Sequence, residues 1–85
     1  MPPVVIYTKA FCPYCARAMN LLKKKNVAFE EIDAGMDANR KREMMQRAEG
    51  RATFPQIFIG ETHVGGCDEL MALESRGELD GLLAV

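Results

Sequence analysis

The spacing of apolar residues changes period several times along the chain. Val4 to Thr8 is a short β-branched and aromatic run that reads as a buried strand. From Pro13 to about Lys25 the period becomes helical. Cys15, Met19 and Leu22 fall at i, i+4 and i+7, with Ala18 and Leu21 beside them. Pro13 suits a first helical position, where a missing N–H is no loss. Lys23, Lys24 and Lys25 sit at the negative end of that helix and read as a solvated terminus, and Asn26 suits a left-handed cap. Val27 to Ile32 predicts a second strand, with Val27, Phe29 and Ile32 inward, and Asp33 to Gly35 a turn. A charged second helix is predicted from about Asp37 to Glu49, ended by Gly50. Its narrow apolar face, Met44, Met45 and Ala48, reads as core packing rather than a Met-rich binding surface. Gln56 to Ile59 is a third strand, and Gly60-Glu61 turns it into Thr62-His63-Val64 as a β-hairpin. After Gly65-Gly66 a third helix begins near Cys67-Asp68, with Leu70, Met71 and Leu73 inward, and stops at Gly77. Leu79, Leu82 and Leu83 predict one last turn packed back on the body.

The order βαβ, α, ββ, α predicts an α/β fold, a four-stranded mixed sheet with helices on both faces. Its first unit is a right-handed crossover between parallel strands. There is no internal repeat, low-complexity segment or linker, and 85 residues suit one domain spanning 1–85.

Composition narrows the function classes. Hydrophobic residues make up 48% of the chain, enough for a core without disulfides. Lys and Arg number 11 against 12 Asp and Glu, a net charge of −1, which argues against a nucleic-acid partner. No apolar run approaches the roughly 18 residues of a membrane span. The first residues carry no basic leader or signal-peptide core, so export is not expected. Three cysteines are an odd, sparse set, unlike a secreted disulfide framework, and a cytoplasmic, reducing location is expected.

The strongest chemical signal is Cys12-Pro13-Tyr14-Cys15, because the pair follows a strand and opens a helix. Unpaired N–H groups and the positive dipole end favour a thiolate at Cys12, and thiolate is the nucleophile. Cys15 lies one turn further in, within reach for a disulfide, and Lys9 adds a nearby positive charge. A zinc site built from Cys12, Cys15, His63 and Cys67 is the rival chemistry. However, Pro13 and Tyr14 stiffen the loop that would wrap the metal, and His63-x₃-Cys67 only imitates a ligand pair. No metal is therefore expected, and His63 reads as a solvent-facing strand residue.

Two further segments stand out. Thr53-Phe54-Pro55 precedes the third strand, and a cis Phe54–Pro55 bond there would leave the Phe54 backbone groups open to an extended ligand, as in strand addition. Gly65-Gly66-Cys67-Asp68 allows close backbone approach at a helix start. It suits a ligand carrying both a carboxylate and an ammonium, and an ordinary turn capped by Asp68 fits the pattern equally well. Cys67 reads as a small buried residue rather than a reactive thiol.

Together, Tyr7-Thr8-Lys9 ahead of Cys12-Pro13-Tyr14-Cys15, then Thr53-Phe54-Pro55-Gln56-Ile57-Phe58-Ile59, then Gly65-Gly66-Cys67-Asp68 resemble glutaredoxins of the short bacterial dithiol type. The resemblance spans essentially the whole chain. It implies a thioredoxin-like fold and glutathione as reductant and bound cosubstrate. Cys12 would be the nucleophile and Cys15 the resolving thiol. Lys9 would meet the glycine carboxylate of glutathione, with Arg42 a second candidate for that group. Tyr14 and Thr53 would line the groove, Phe54 would pair through its backbone, and Pro55 would be the cis-proline. Gly66, Cys67 and Asp68 would hold the γ-glutamyl end. The implied partners are glutathionylated and disulfide-bonded proteins, with glutathione reductase and NADPH as the indirect electron source, and the implied state is a monomer. A cluster carrier, with an iron–sulfur centre ligated by Cys12 and glutathione, is the alternative. Two positions depart from the family pattern: Phe54, where Val is more frequent, and Glu69, where Asp is.

Overall fold

The eight elements follow the predicted order. Strand β1 spans Val4–Thr8, helix α1 Pro13–Lys24, β2 Glu30–Asp33, α2 Ala38–Arg47, β3 Gln56–Ile59, β4 Thr62–Gly65, α3 Cys67–Ser75 and α4 Leu79–Leu83. The computed structural model describes residues 2–84. The sheet order is β2-β1-β3-β4. Strand β1 runs parallel to β2, with Tyr7 opposite Ile32, and antiparallel to β3, with Ile6 opposite Ile57. The β3–β4 hairpin is antiparallel, and its register shifts between Ile57 and Phe58.

Alternation along the two central strands builds two cores. Val4 and Ile6 join Ile57 and Ile59 on one face, where they pack with Ala18 and Leu22 of α1, Leu70 of α3, and Leu79 and Leu83 of α4. Tyr7 and Phe58 point to the other face and pack with Met44 of α2 and with Ala48. The Tyr7 hydroxyl donates to Glu43 Oε2 at 2.6 Å and accepts from Arg47 Nη1 at 2.9 Å, which fastens α2 to the sheet. Burial first, and then the bond to Glu43, push the Tyr7 pKa up.

Boundaries around β2 and α2 differ from the sequence expectation, and α2 ends at Arg47 rather than Glu49. The second strand begins at Glu30, not Val27. Val27 is buried, but its N–H bonds Leu22 O at 3.1 Å as the chain leaves α1 through Asn26 at φ +58°. Its apolar side chain is therefore used to close the helix exit, and pairing with β1 starts only at Glu30. Asp33 belongs to this strand, and its carboxylate accepts the Gly35 N–H at 3.1 Å to make the turn. Asp37 lies just outside α2 as its cap, accepting from Asn39 and Arg40 N–H at 3.0 and 3.1 Å. Lys25 also departs from a purely solvated helix end. Its ammonium lies 2.6 Å from Asp80 and 2.8 Å from Glu74, joining the exit of α1 to α3 and α4. Those two bonds, Asp80 first, raise its pKa.

Candidate active site

The chain leaves β1 at Thr8 and turns through Phe11, which holds a left-handed φ of +56° and is fully exposed. That turn delivers Cys12 to the N-cap of α1 in extended conformation, with Pro13 at the first helical position. Here the capping acceptor is sulfur: Cys12 Sγ accepts the Cys15 N–H at 3.2 Å. All three cysteines are free thiols. Cys12 is partly exposed, whereas Cys15 is buried with only 2% of its surface open. Burial, followed by the side-chain hydrogen bond with Cys12, pushes the Cys15 thiol up to about 12. The two thiols are one helical turn apart and chemically unlike: one at a helix entrance facing outward, the other kept protonated inside.

Beside them lies a cleft of about 180 Å³. Tyr14 borders it on the α1 side. Thr53, Phe54 and Pro55 form one wall, and Gly66, Cys67 and Asp68 form the other, with Arg51 and Glu69 completing the lining. The Phe54–Pro55 bond is cis. Among the described residues the Phe54 N–H and C=O have no backbone partner. The walls approach closely, since a Cβ on Gly66 would stand 3.3 Å from the Pro55 carbonyl oxygen. Cys67 is buried, as its residue type suggested, and burial is the main cause of its raised pKa. The Arg17 guanidinium opposes that rise and the Asp68 carboxylate adds to it.

Sequence reasoning thus located Tyr14, Thr53, Phe54, Pro55, Gly66, Cys67 and Asp68 in one cleft. Lys9 stands at its edge, with Nζ 5.8 Å from the Phe54 ring centroid. Arg42 is not brought there. It lines a separate hollow on α2 with Lys41, Met45 and Gln46.

The α3 entrance also corrects an expectation. Gly66 is the N-cap and Asp68 sits inside the first turn, exposed, with no side-chain hydrogen bond among the described residues. The capping is done by Glu69, whose Oε1 accepts the Gly66 N–H at 2.7 Å and the Arg51 guanidinium at 3.1 Å. This is the reciprocal half of a capping box. The bond from Gly66, more than the one from Arg51, holds the Glu69 carboxyl below its usual range. Arg51 was missed by sequence reasoning. Glu69 had a legible signal, an acidic residue three places after a helix cap, but the cap is glycine and not the usual Ser or Thr.

His63 is half-buried rather than turned to solvent. Its ring stacks on Phe58 with centroids 4.9 Å apart, and Nε2 lies 2.7 Å from Gln56 Oε1. Among the described residues, no group of three His, Cys, Asp or Glu side chains is placed to hold a metal ion. No helix among them is long and apolar enough to cross a membrane.

The family model described as Glutaredoxin matches residues 4–64. A glutaredoxin of Pseudomonas aeruginosa is 57% identical over 84 residues, covering 99% of each chain. The solution structure of a glutaredoxin from Brucella melitensis superposes with a TM-score of 0.85 at 58% identity, over 98% of this chain and 89% of that one. A crystal structure of a buckwheat glutaredoxin–glutathione complex superposes with a TM-score of 0.86 at 29% identity, over 98% of this chain and 77% of that one. The four-stranded sheet and its flanking helices are thus a thioredoxin-like fold. Identity of this extent over nearly the full length carries the conclusion: this chain belongs to the glutaredoxin family and is a thiol–disulfide oxidoreductase.

Proposed function

We propose that the chain, as a single-domain monomer in the cytoplasm, uses glutathione to reduce glutathione mixed disulfides and protein disulfides, with Cys12 as the attacking thiolate. The observation that carries this reading is the asymmetry of the two thiols. Cys12 Sγ already accepts a helix N–H, while Cys15 is buried and keeps its proton. Attack by Cys12 on the glutathione sulfur of a mixed disulfide forms a Cys12–glutathione disulfide and releases the partner as a thiolate. A second glutathione thiolate then attacks the bound glutathione sulfur, forming glutathione disulfide and returning Cys12 as thiolate. With a protein disulfide, Cys12 forms a mixed disulfide to the partner. Cys15 then attacks Cys12, its proton passing to the departing partner sulfur, and a Cys12–Cys15 disulfide results.

The cleft suits glutathione chemically. The unpaired Phe54 backbone groups match the cysteinyl peptide unit. Asp68, exposed at the α3 entrance, offers a carboxylate to the γ-glutamyl ammonium, and the α3 N–H groups face its carboxylate. Lys9 at the cleft edge offers a cation to the glycine carboxylate. The chain shows no dinucleotide fingerprint, so NADPH acts through a separate glutathione reductase.

The test is turnover of a small glutathione mixed disulfide, that of 2-mercaptoethanol, coupled to glutathione reductase and NADPH. Steady NADPH consumption dependent on the protein is expected. A purified protein that fails to turn over would overturn this reading in favour of a redox-inert binding module, and one that fails while carrying the visible absorbance of a bound cluster would overturn it in favour of cluster carriage.

A further inference from the structure

We propose that His63 is a positioning residue for the cleft, acting through Gln56 to make Thr53 a hydrogen-bond donor to the bound ligand. The inference rests on the function proposed above for the identity of that ligand. The observation behind it is a chain of three side chains running from the sheet edge to the cleft. His63 Nε2 lies 2.7 Å from Gln56 Oε1, and Gln56 Nε2 donates to Thr53 Oγ1 at 3.0 Å. Gln56 is completely buried at the start of β3, and Thr53 is exposed and lines the cleft.

The polarity of this chain follows from what each atom can do. An amide oxygen only accepts, so the proton between His63 and Gln56 belongs to His63 Nε2. That holds the Gln56 oxygen toward the histidine and its NH₂ toward Thr53. The Thr53 oxygen accepts this N–H, so its own hydroxyl proton is left over. Among the described residues the Thr53 hydroxyl has no other partner, so its proton is free for water or for a ligand that displaces water from the cleft. Reversing the amide would reverse the chain. The Gln56 oxygen would take the Thr53 proton, and the hydroxyl would present only lone pairs to the ligand. A buried amide with two satisfied ends has no reason to reverse while His63 donates.

The fold holds His63 where it can do this. The register shift between Ile57 and Phe58 sets His63 directly opposite Phe58, and the two rings stack at an interplanar angle of 22°. The stacked face fixes the ring, which leaves its Nε2 edge turned to Gln56. A ligand carboxylate or peptide carbonyl at the Thr53 wall is the acceptor that this geometry serves.

The test is a set of variants read by KM and kcat on the 2-mercaptoethanol–glutathione mixed disulfide. His63→Phe keeps the stacked ring and removes the donor. It should raise KM about three- to tenfold while kcat moves less than about twofold, the size of one ordinary hydrogen bond. Thr53→Val should raise KM by a similar factor. The double variant should be no worse than either single one, because both remove the same bond. Gln56→Met, of similar volume and with no polar atom to orient Thr53, should match them and decides the matter if His63→Phe does not fold by circular dichroism. Equal losses for His63→Phe in the native and Thr53→Val backgrounds would overturn the relay, as would an unchanged KM in a folded His63→Phe. Turnover by the wild-type protein tests the function itself, so failure there is separate from failure of the relay.

Discussion

Two helix entrances meet at the active cleft, and they are capped in opposite ways. At α1 the acceptor is Cys12 Sγ, so the helix N–H is committed to a thiol sulfur. At α3 the cap residue is glycine, and the acceptor reaches back from Glu69 in the first turn, steadied by Arg51. A side chain at Gly66 would crowd the Pro55 carbonyl, and one at Gly65 would stand 2.5 Å from Glu69 Oε1. The α3 entrance thus carries no side chain at its cap position, and its capping acceptor comes from the first turn of the helix itself. One entrance holds a thiol sulfur, and the other leaves open space in the cleft. Helix N-termini are interchangeable as sources of positive potential, and the position of the capping acceptor decides what each can be used for.

Replacing the sulfur at the α1 cap should have the largest effect. Cys12→Ser should abolish both deglutathionylation and protein-disulfide reduction, a loss of about a thousandfold or more, because a serine hydroxyl is not ionised there. Cys15→Ser should keep most deglutathionylation and lose most protein-disulfide reduction, since external glutathione resolves the first route without Cys15 and the second depends on it. Both assays on both variants check the division of labour. Equal loss of deglutathionylation in the two would break it.

At α3 the next largest effect is expected from the exposed carboxylate. Asp68→Ala should raise KM for glutathione mixed disulfides about ten- to a hundredfold, as a charge-assisted bond would predict. Mixed disulfides lacking the γ-glutamyl group should change much less. Equal changes with both substrate types would mean that Asp68 does not read that group.

Gly65→Ala probes the space itself. Gly65 holds φ +113°, where an alanine is strained whatever its neighbours do, and the added Cβ also meets Glu69 and Arg51. A stability loss of about 1–3 kcal/mol is expected in denaturant unfolding.

Glu69→Gln gives the smallest and most specific effect. The amide oxygen can still accept from Gly66, so only the charge component is lost, about 0.5–1 kcal/mol at neutral pH. The folded carboxyl titrates below its ordinary value of 4.5. Its stabilisation is therefore complete above that value and disappears as pH falls through the lowered folded value. Unfolding curves between neutral and acidic pH should show that slope in the wild type and its absence in Glu69→Gln. An unchanged slope would mean that the α3 entrance does not depend on this charge.

Most of the architecture was legible because the apolar period changes where the elements change. Val4–Thr8, Pro13–Lys24 and Gln56–Ile59 sit where their patterns place them, and both faces of the sheet are covered as predicted. The paired thiols were legible because their chemistry depends on local context, a strand before and a proline at the first helical turn. The start of β2 was misplaced because a β-branched residue at 27 looks alike in a strand and in a helix exit, and only pairing with β1 separates them.

The remaining features depend on contacts between distant residues, which no local pattern encodes. Arg42 was assigned to the cleft on family resemblance, and it lines a separate hollow on α2 instead. Arg51 reaches the α3 entrance across 18 residues of chain. His63 looked like an ordinary strand residue until the shifted hairpin register set it against Phe58 and Gln56. Sequence alone determined which elements form and where the paired thiols stand, because periodicity, caps and turn residues act within a few positions. Only the tertiary structure decided which thiol is buried, which acceptor caps each helix entrance and which side chains line the cleft, because desolvation and hydrogen bonding depend on what folding brings alongside.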